Sequence, residues 1–177
     1  MKIPQYKGLI FKAVTSSDLD SICEMNSEAE VIRYIRDGKV LSREEEREAL
    51  DKRIDYAREN PSYGFWSVST EEDDSILAYA NLNHIYDDGP NHGKVHLGYK
   101  ISLKEWRKGY GKKIALAMLD QAVRNTQLET LYAFVDPANE VSIHILQKIG
   151  FDQKDERTSI YGYESIKFKI DLKSLRI

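Results

Sequence analysis

Apolar residues recur at every second position through Val95, Leu97, Tyr99 and Ile101, then at intervals of three and four through Ile114, Ala115, Met118, Leu119 and Ala122. The first spacing lines one face of a strand and the second one face of a helix. Trp106 to Lys112 lie where the period changes, so the backbone must turn sharply there as the helix begins. The same reading predicts strands at Leu9–Val14, Gly64–Ser69, Ile76–Ile85 and Leu131–Val135, with a last strand through Ile166, Phe168 and Ile170. A helix through Leu19, Ile22 and Cys23 follows the capping residues of T-S-S-D. A second runs from the Ser42/Glu45 capping box to Asn60-Pro61, and a third from an Asn139 N-cap to a Gly150 C-cap. Charges crowd the second helix, which reads as solvated apart from a narrow stripe of Leu50, Ile54 and Ala57. The stretch Y-D-D-G-P-N-H-G reads as a turn, and the helix after Trp106 is expected to extend towards Gln127.

Composition narrows the class without changing this order. The 177 residues fit one domain, 1–177, with a core of ordinary size, and 41% hydrophobic with 31% charged residues is a globular balance. A net charge of −3 argues against a nucleic-acid or anionic-membrane surface. One cysteine, Cys23, rules out an intrachain disulfide and reads as a small core residue. His84, His92 and His96 lack metal-site spacing, so no metal is expected. No signal peptide or membrane span is visible, and the expected location is cytoplasmic.

The turn between strand and helix is locally basic, with Arg107, Lys108, Lys112 and Lys113 around Gly109 and Gly111. The first N–H groups of a helix have no intrahelical partner and carry the positive end of its dipole. Glycine lets a ligand approach them, so this turn suits a pyrophosphate, although two glycines before a helix are often only a turn.

The run W-R-K-G-Y-G resembles the acyl-CoA pyrophosphate loop of the GNAT N-acetyltransferase superfamily, Gln/Arg-x-x-Gly-x-Gly/Ala, with Trp106 at the Gln/Arg position as in the branch of ribosomal-protein N-terminal acetyltransferases. Downstream, Asn139, Ser142, Lys148, Gly150 and Phe151 resemble that branch's Asn-x-x-Ser to Lys-x-Gly-Phe motif. The resemblance covers Leu9 to Ile170. It implies an α+β three-layer fold, with a mixed, mostly antiparallel seven-stranded sheet, helices on both faces and a cleft where the fourth and fifth strands splay apart. It also implies that acetyl-CoA is the co-substrate, attacked directly by a primary amine in a ternary complex. By resemblance, Ile101 and Leu103 offer backbone groups to the pantetheine arm, Arg107, Lys108, Gly109, Tyr110, Gly111 and Lys112 hold the pyrophosphate, and Asn139 and Ser142 meet the pantetheine amides and sulfur. The segment Ala29–Leu41 resembles the acceptor-lining part, making Tyr34, Ile35 and Arg36 candidates for acceptor contact; Tyr34 reads equally as a packing residue.

Two departures bear on catalysis. Where many members of the branch carry Glu-Ile-Gly-Tyr, this chain has His96-Leu97-Gly98-Tyr99, so His96 is the candidate base and otherwise an exposed strand residue. Where many place a tyrosine seven positions after the motif asparagine, this chain has Leu146. Ser142 is then the alternative donor to the leaving sulfur, or else a first-turn residue bonding locally. These departures keep open a noncatalytic acyl-CoA-binding or sensor domain, or an enzyme using another acyl group. A structural protein of this fold would leave the basic loop unexplained. The expected partner is a small-molecule or peptide amine, with no nucleic acid or membrane. Oligomeric state is not legible, and a homodimer stays open.

Overall fold

The computed structural model describes residues 3–35, 38–86, 89, 91–160 and 162–176. Seven strands form one sheet in the order β1-β2-β3-β4-β5-β7-β6. They are β1 Leu9–Ala13, β2 Gly64–Thr70, β3 Ala78–His84, β4 Val95–Ile101, β5 Thr130–Val135, β6 Asp152–Ile160 and β7 Tyr163–Asp171. Neighbours pair antiparallel except β4 with β5, which run parallel. The helices are α1 Leu19–Ser27, α2 Ala29–Ile32, α3 Arg43–Glu59, α4 Tyr110–Val123 and α5 Glu140–Lys148.

Strand alternation divides the side chains between two cores. Ala78, Ala80 and Leu82 of β3 and Val95 and Leu97 of β4 pack with Ile114, Met118 and Ala122 of α4 and Leu146 of α5. On the opposite face Tyr79 meets Ile22 and Met25 of α1, Val31 of α2 and Leu50 of α3, with Cys23 packed at the edge. The sheet thus has helices on both faces, the three-layer arrangement expected from the sequence.

The local signals settle the element ends. Ser42 Oγ accepts from the Glu45 N–H, and Glu45 Oε2 accepts from the Ser42 N–H at 2.7 Å, the reciprocal box that starts α3. Gly150 closes α5 at φ 97° and Phe151 is buried behind it. The helix expected to extend towards Gln127 stops at Val123. There the Arg176 guanidinium donates to the carbonyl of Val123, the last helical residue, and to those of Asn125, Thr126 and Leu128 in the turn beyond it. The solvated reading of α3 also needs correction at Glu46, which is 1% exposed and lies one turn before Leu50 on the buried stripe. Positions 87, 88 and 90 of the expected Y-D-D-G-P-N-H-G turn lie outside the described residues.

Candidate active site

β4 is paired with β3 along its whole length, and β5 with β7 along its whole length. Between β4 and β5 the register contains a single pair, His96 with Tyr132. Beyond it the strands part, and peptide groups that would form a ladder in a continuous sheet face a gap. This gap is a cleft of about 680 Å³, within the range of small-molecule sites. Leu97 to Ile101 form one wall, Ala133 to Asp136 the other, and the starts of α4 and α5 close one end.

α4 begins at Gly109, which adopts φ 81° as the N-cap. A Cβ there would meet nothing within 4 Å, so backbone conformation and not crowding demands glycine at this position. Gly111 is required for another reason: an added Cβ would lie 3.0 Å from Ile145 Cδ1 and 3.6 Å from Tyr99 Cε2. It lets α4 approach α5 and β4 closely. Arg107 also has positive φ, at 63°, a conformation that costs a non-glycine residue about 1 kcal/mol. The loop is pinned around it, since Trp106 Nε1 donates to the Ile101 carbonyl at 2.8 Å and Lys108 Nζ pairs with Glu105 at 3.1 Å.

Of the residues singled out in the sequence, Tyr34, Ile35, Ile101, Arg107, Gly109, Tyr110, Gly111, Lys112, Asn139 and Ser142 line the cleft. Leu103, Lys108 and His96 are not among its lining residues, and Arg36 lies outside the described residues. Asn139 caps α5, its Oδ1 accepting from the Ser142 N–H at 3.1 Å. That bond occupies the carboxamide oxygen and leaves Nδ2 as the group able to meet a ligand. Leu146, seven positions after Asn139, is 2% exposed and carries no donor.

His96 sits between Asn83 of β3 and Tyr132 of β5, its ring centroid 6.1 Å from that of Phe134. Loss of solvent pushes its imidazole down to about 4, partly opposed by a backbone hydrogen bond at Leu97. It is neutral at pH 7 but a feeble base, so this geometry gives little support to the expected role. Lys100, on the same face, donates to Asn26 Oδ1 and lies over the Tyr79 ring. Asn26 Nδ2 in turn donates to the buried Glu46 Oε1 at 2.7 Å. At Gly98 an added Cβ would come within 2.7 Å of Asn81 Oδ1, so the Asn81 side chain would have to shift to admit one.

Sequence reasoning missed Tyr99 and the Lys100–Asn26–Glu46 chain. Tyr99 was absorbed into the apolar alternation of β4, yet its hydroxyl is buried without a hydrogen-bond partner. The position of Glu46 four residues before Leu50 was the legible sign that it faces inward.

A family model described as an acetyltransferase (GNAT) domain matches residues 8–152. A Bacillus licheniformis protein described as an uncharacterized N-acetyltransferase, p20, is 23% identical over 146 residues, covering 82% of this chain and 80% of that protein. Among solved structures, a ribosomal L7/L12 alpha-N-protein acetyltransferase (RimL) in complex with coenzyme A superposes with a TM-score of 0.75 at 12% identity, covering 96% of this chain and 98% of the other. A spermidine N-acetyltransferase from Vibrio cholerae in complex with CoA and spermine gives 0.73 at 19% identity, covering 94% and 96%. At these identities the two structures establish likeness of fold.

Proposed function

Because the chain belongs to the GNAT acetyltransferase family and is an N-acetyltransferase, we propose that its cleft binds acetyl-CoA and that a primary amine attacks the bound thioester directly. The observation that carries this reading is the single-pair contact of β4 with β5, which opens a cleft ending at the α4 N-terminus with Arg107 and Lys112 on its lining. Unmet amides and two cations at one end suit a diphosphate, and strand edges along the walls suit the amides of the pantetheine arm. A buried hydroxyl without a partner also fits a site completed by a ligand.

In this reading the N–H groups of Tyr110, Gly111 and Lys112 and the cations of Arg107 and Lys112 hold the diphosphate, with Lys108 at the rim. Ile101 offers its backbone N–H, its carbonyl being taken by Trp106, Asn139 Nδ2 meets a pantetheine carbonyl, and the Ser142 hydroxyl stands near the sulfur. The amine enters from the side of Tyr34 and Ile35, and Arg36 belongs to the same segment. A backbone N–H of β4 stabilises the oxyanion as charge moves onto the carbonyl oxygen. Both the RimL structure and the spermidine acetyltransferase structure are compatible models for the acceptor class, peptide α-amine or small amine. An α-amine with a pKa of about 8 needs less than 1 kcal/mol to lose its proton near pH 7.4, against about 4 kcal/mol for a lysine side chain. With His96 so weakly basic, the α-amine demands the less of this site.

The test is calorimetric titration with acetyl-CoA, followed by thiol release across a panel of peptide N-termini, polyamines and amino acids. Binding with turnover of at least one amine is expected. Lys112→Glu, which reverses the charge of an exposed side chain on the cleft lining at the start of α4, is expected to reduce binding about tenfold while the variant still folds. Absence of binding to the wild type at millimolar acetyl-CoA overturns the reading, and binding without turnover of any amine leaves a coenzyme-binding domain.

A further inference from the structure

Lys100 places a charge in the β4 wall of the cleft. It lies on the strand face opposite Tyr99 and Ile101, and lines the cleft with Val31, Arg33 and Tyr34, on the side assigned above to the entering amine. Its ammonium donates to Asn26 Oδ1 and stands 5.4 Å over the Tyr79 ring. Asn26 is 4% exposed and is itself fixed by Glu46, whose Oε1 accepts from Asn26 Nδ2 at 2.7 Å. Two buried polar residues, from α1 and α3, thus hold one ammonium at the edge of a cavity. Such a network gives no more stability than apolar residues of the same volume would, so its use is sought in the charge it positions. Glu46 stands behind Asn26 and is not among the lining residues. Glu30 and Arg33, at the rim, are exposed and paired with each other at 3.2 Å. Asp136, on the far wall, has its Oδ1 occupied by the Ala138 N–H at 2.7 Å. An acceptor lying against β4 therefore meets a fixed cation.

We propose that Lys100 selects the acceptor, a small α-amino acid whose carboxylate bonds to the Lys100 ammonium while its amine faces the thioester. This rests on the acetyl-CoA reading above and names the chemical class of the acceptor. A carboxylate one carbon from an amine stabilises the ammonium form, which has no lone pair to attack with. Pairing that carboxylate with Lys100 removes the stabilisation and sets a like charge near the ammonium, so the amine yields its proton to water more readily. Neutral amine and thioester then give amide and thiol. The C–N bond forms, the C–S bond breaks with its electron pair passing to sulfur, and one amine proton reaches the thiolate through water. Binding itself thus prepares the nucleophile, which suits a site whose histidine is a feeble base. A polyamine carries a second cation in place of the anion, so the same ammonium works against it.

The experiment measures thiol release from acetyl-CoA with each α-amino acid, the matching amino-acid amide and spermidine, in the wild type and in Lys100→Met. In the wild type at least one amino acid should exceed its amide in kcat/KM by about tenfold or more, the size of a charge-assisted bond, although the amide has the less basic amine. Spermidine should fall about tenfold or more below that amino acid. Lys100→Met should bring acid and amide within about threefold, the loss falling on the acid, and leave acetyl-CoA affinity by calorimetry within about twofold, because position 100 faces away from α4 and α5. A purely structural role for Lys100 predicts equal losses for acid and amide, and that result overturns the proposal. So does a wild type that turns over no amino acid, or that takes amides or spermidine equally well, while the acetyl-CoA reading survives. Should Lys100→Met lose acetyl-CoA binding through misfolding, the wild-type ratio of acid to amide decides alone. A wild type that does not bind acetyl-CoA removes both readings.

Discussion

His96 shows how a residue in a family-like position can take a different physical role. A carboxylate there would sit among strand residues as an anion, whereas this imidazole loses solvent beside Phe134 and its proton affinity falls to about 4. In the unfolded chain the same group titrates near 6.5. Between pH 6.5 and about 4 the unfolded state therefore holds a proton that the folded state does not, and stability falls with pH across that window. The full difference is at most about 3 kcal/mol, and smaller to the extent that the part-exposed residue keeps its water. Urea melts from pH 7 to pH 4.5 should show a shallower decline for His96→Gln than for the wild type; parallel declines would show that the ring is better solvated than its setting implies. At this scale the sequence was legible where a residue type has one dominant use. Gly150 as a left-handed cap and Asn139 as an N-cap are cases. It was illegible where the same residue serves by contact, as with Gly111, whose need comes from Ile145 on another helix.

Elements were legible through their period, because alternation and the three-four spacing follow from backbone geometry alone. The end of α4 was not, since the carbonyls after Val123 are met by Arg176, some fifty positions along the chain and invisible to any local rule. Nor was the attachment of α3 to the sheet face. Its charged sequence suggested water on most sides, yet Glu46 is buried and tied through Asn26 of α1 to Lys100 of β4. This chain joins two helices to the strand that forms the cleft wall. Asn26→Ala removes a donor from a buried carboxyl group and should cost about 2 to 3 kcal/mol. Glu48→Ala, on the exposed side of the same helix α3, should stay within about 0.5 kcal/mol. Denaturant midpoints measure both, and equal effects would mean that the buried chain adds nothing beyond an ordinary surface charge.

Among the described residues, the sheet is two paired blocks, β1 to β4 and β5 to β7, the second with a register shift between Gln153 and Arg157, that meet through one strand pair and through helices packed across them. The cleft exists because the blocks are not zipped, and the missing ladder is stability that a ligand can return. A coenzyme bound along both walls interacts with the folded state alone, so at a hundred times its Kd it adds about 2.7 kcal/mol. For a chain of 177 residues that corresponds to an increase in Tm of roughly 5 to 10 °C. The increase should grow with the logarithm of acetyl-CoA concentration and be smaller at equal concentration in Lys112→Glu, whose exposed side chain lines the diphosphate end of the cleft. Adenosine diphosphate alone, which reaches the helix end but not the strand walls, should give a smaller increase at equal concentration. An equal increase from both would mean that binding energy resides at the α4 N-terminus only, and that the parted strands are a passage for the thioester and not a grip upon it.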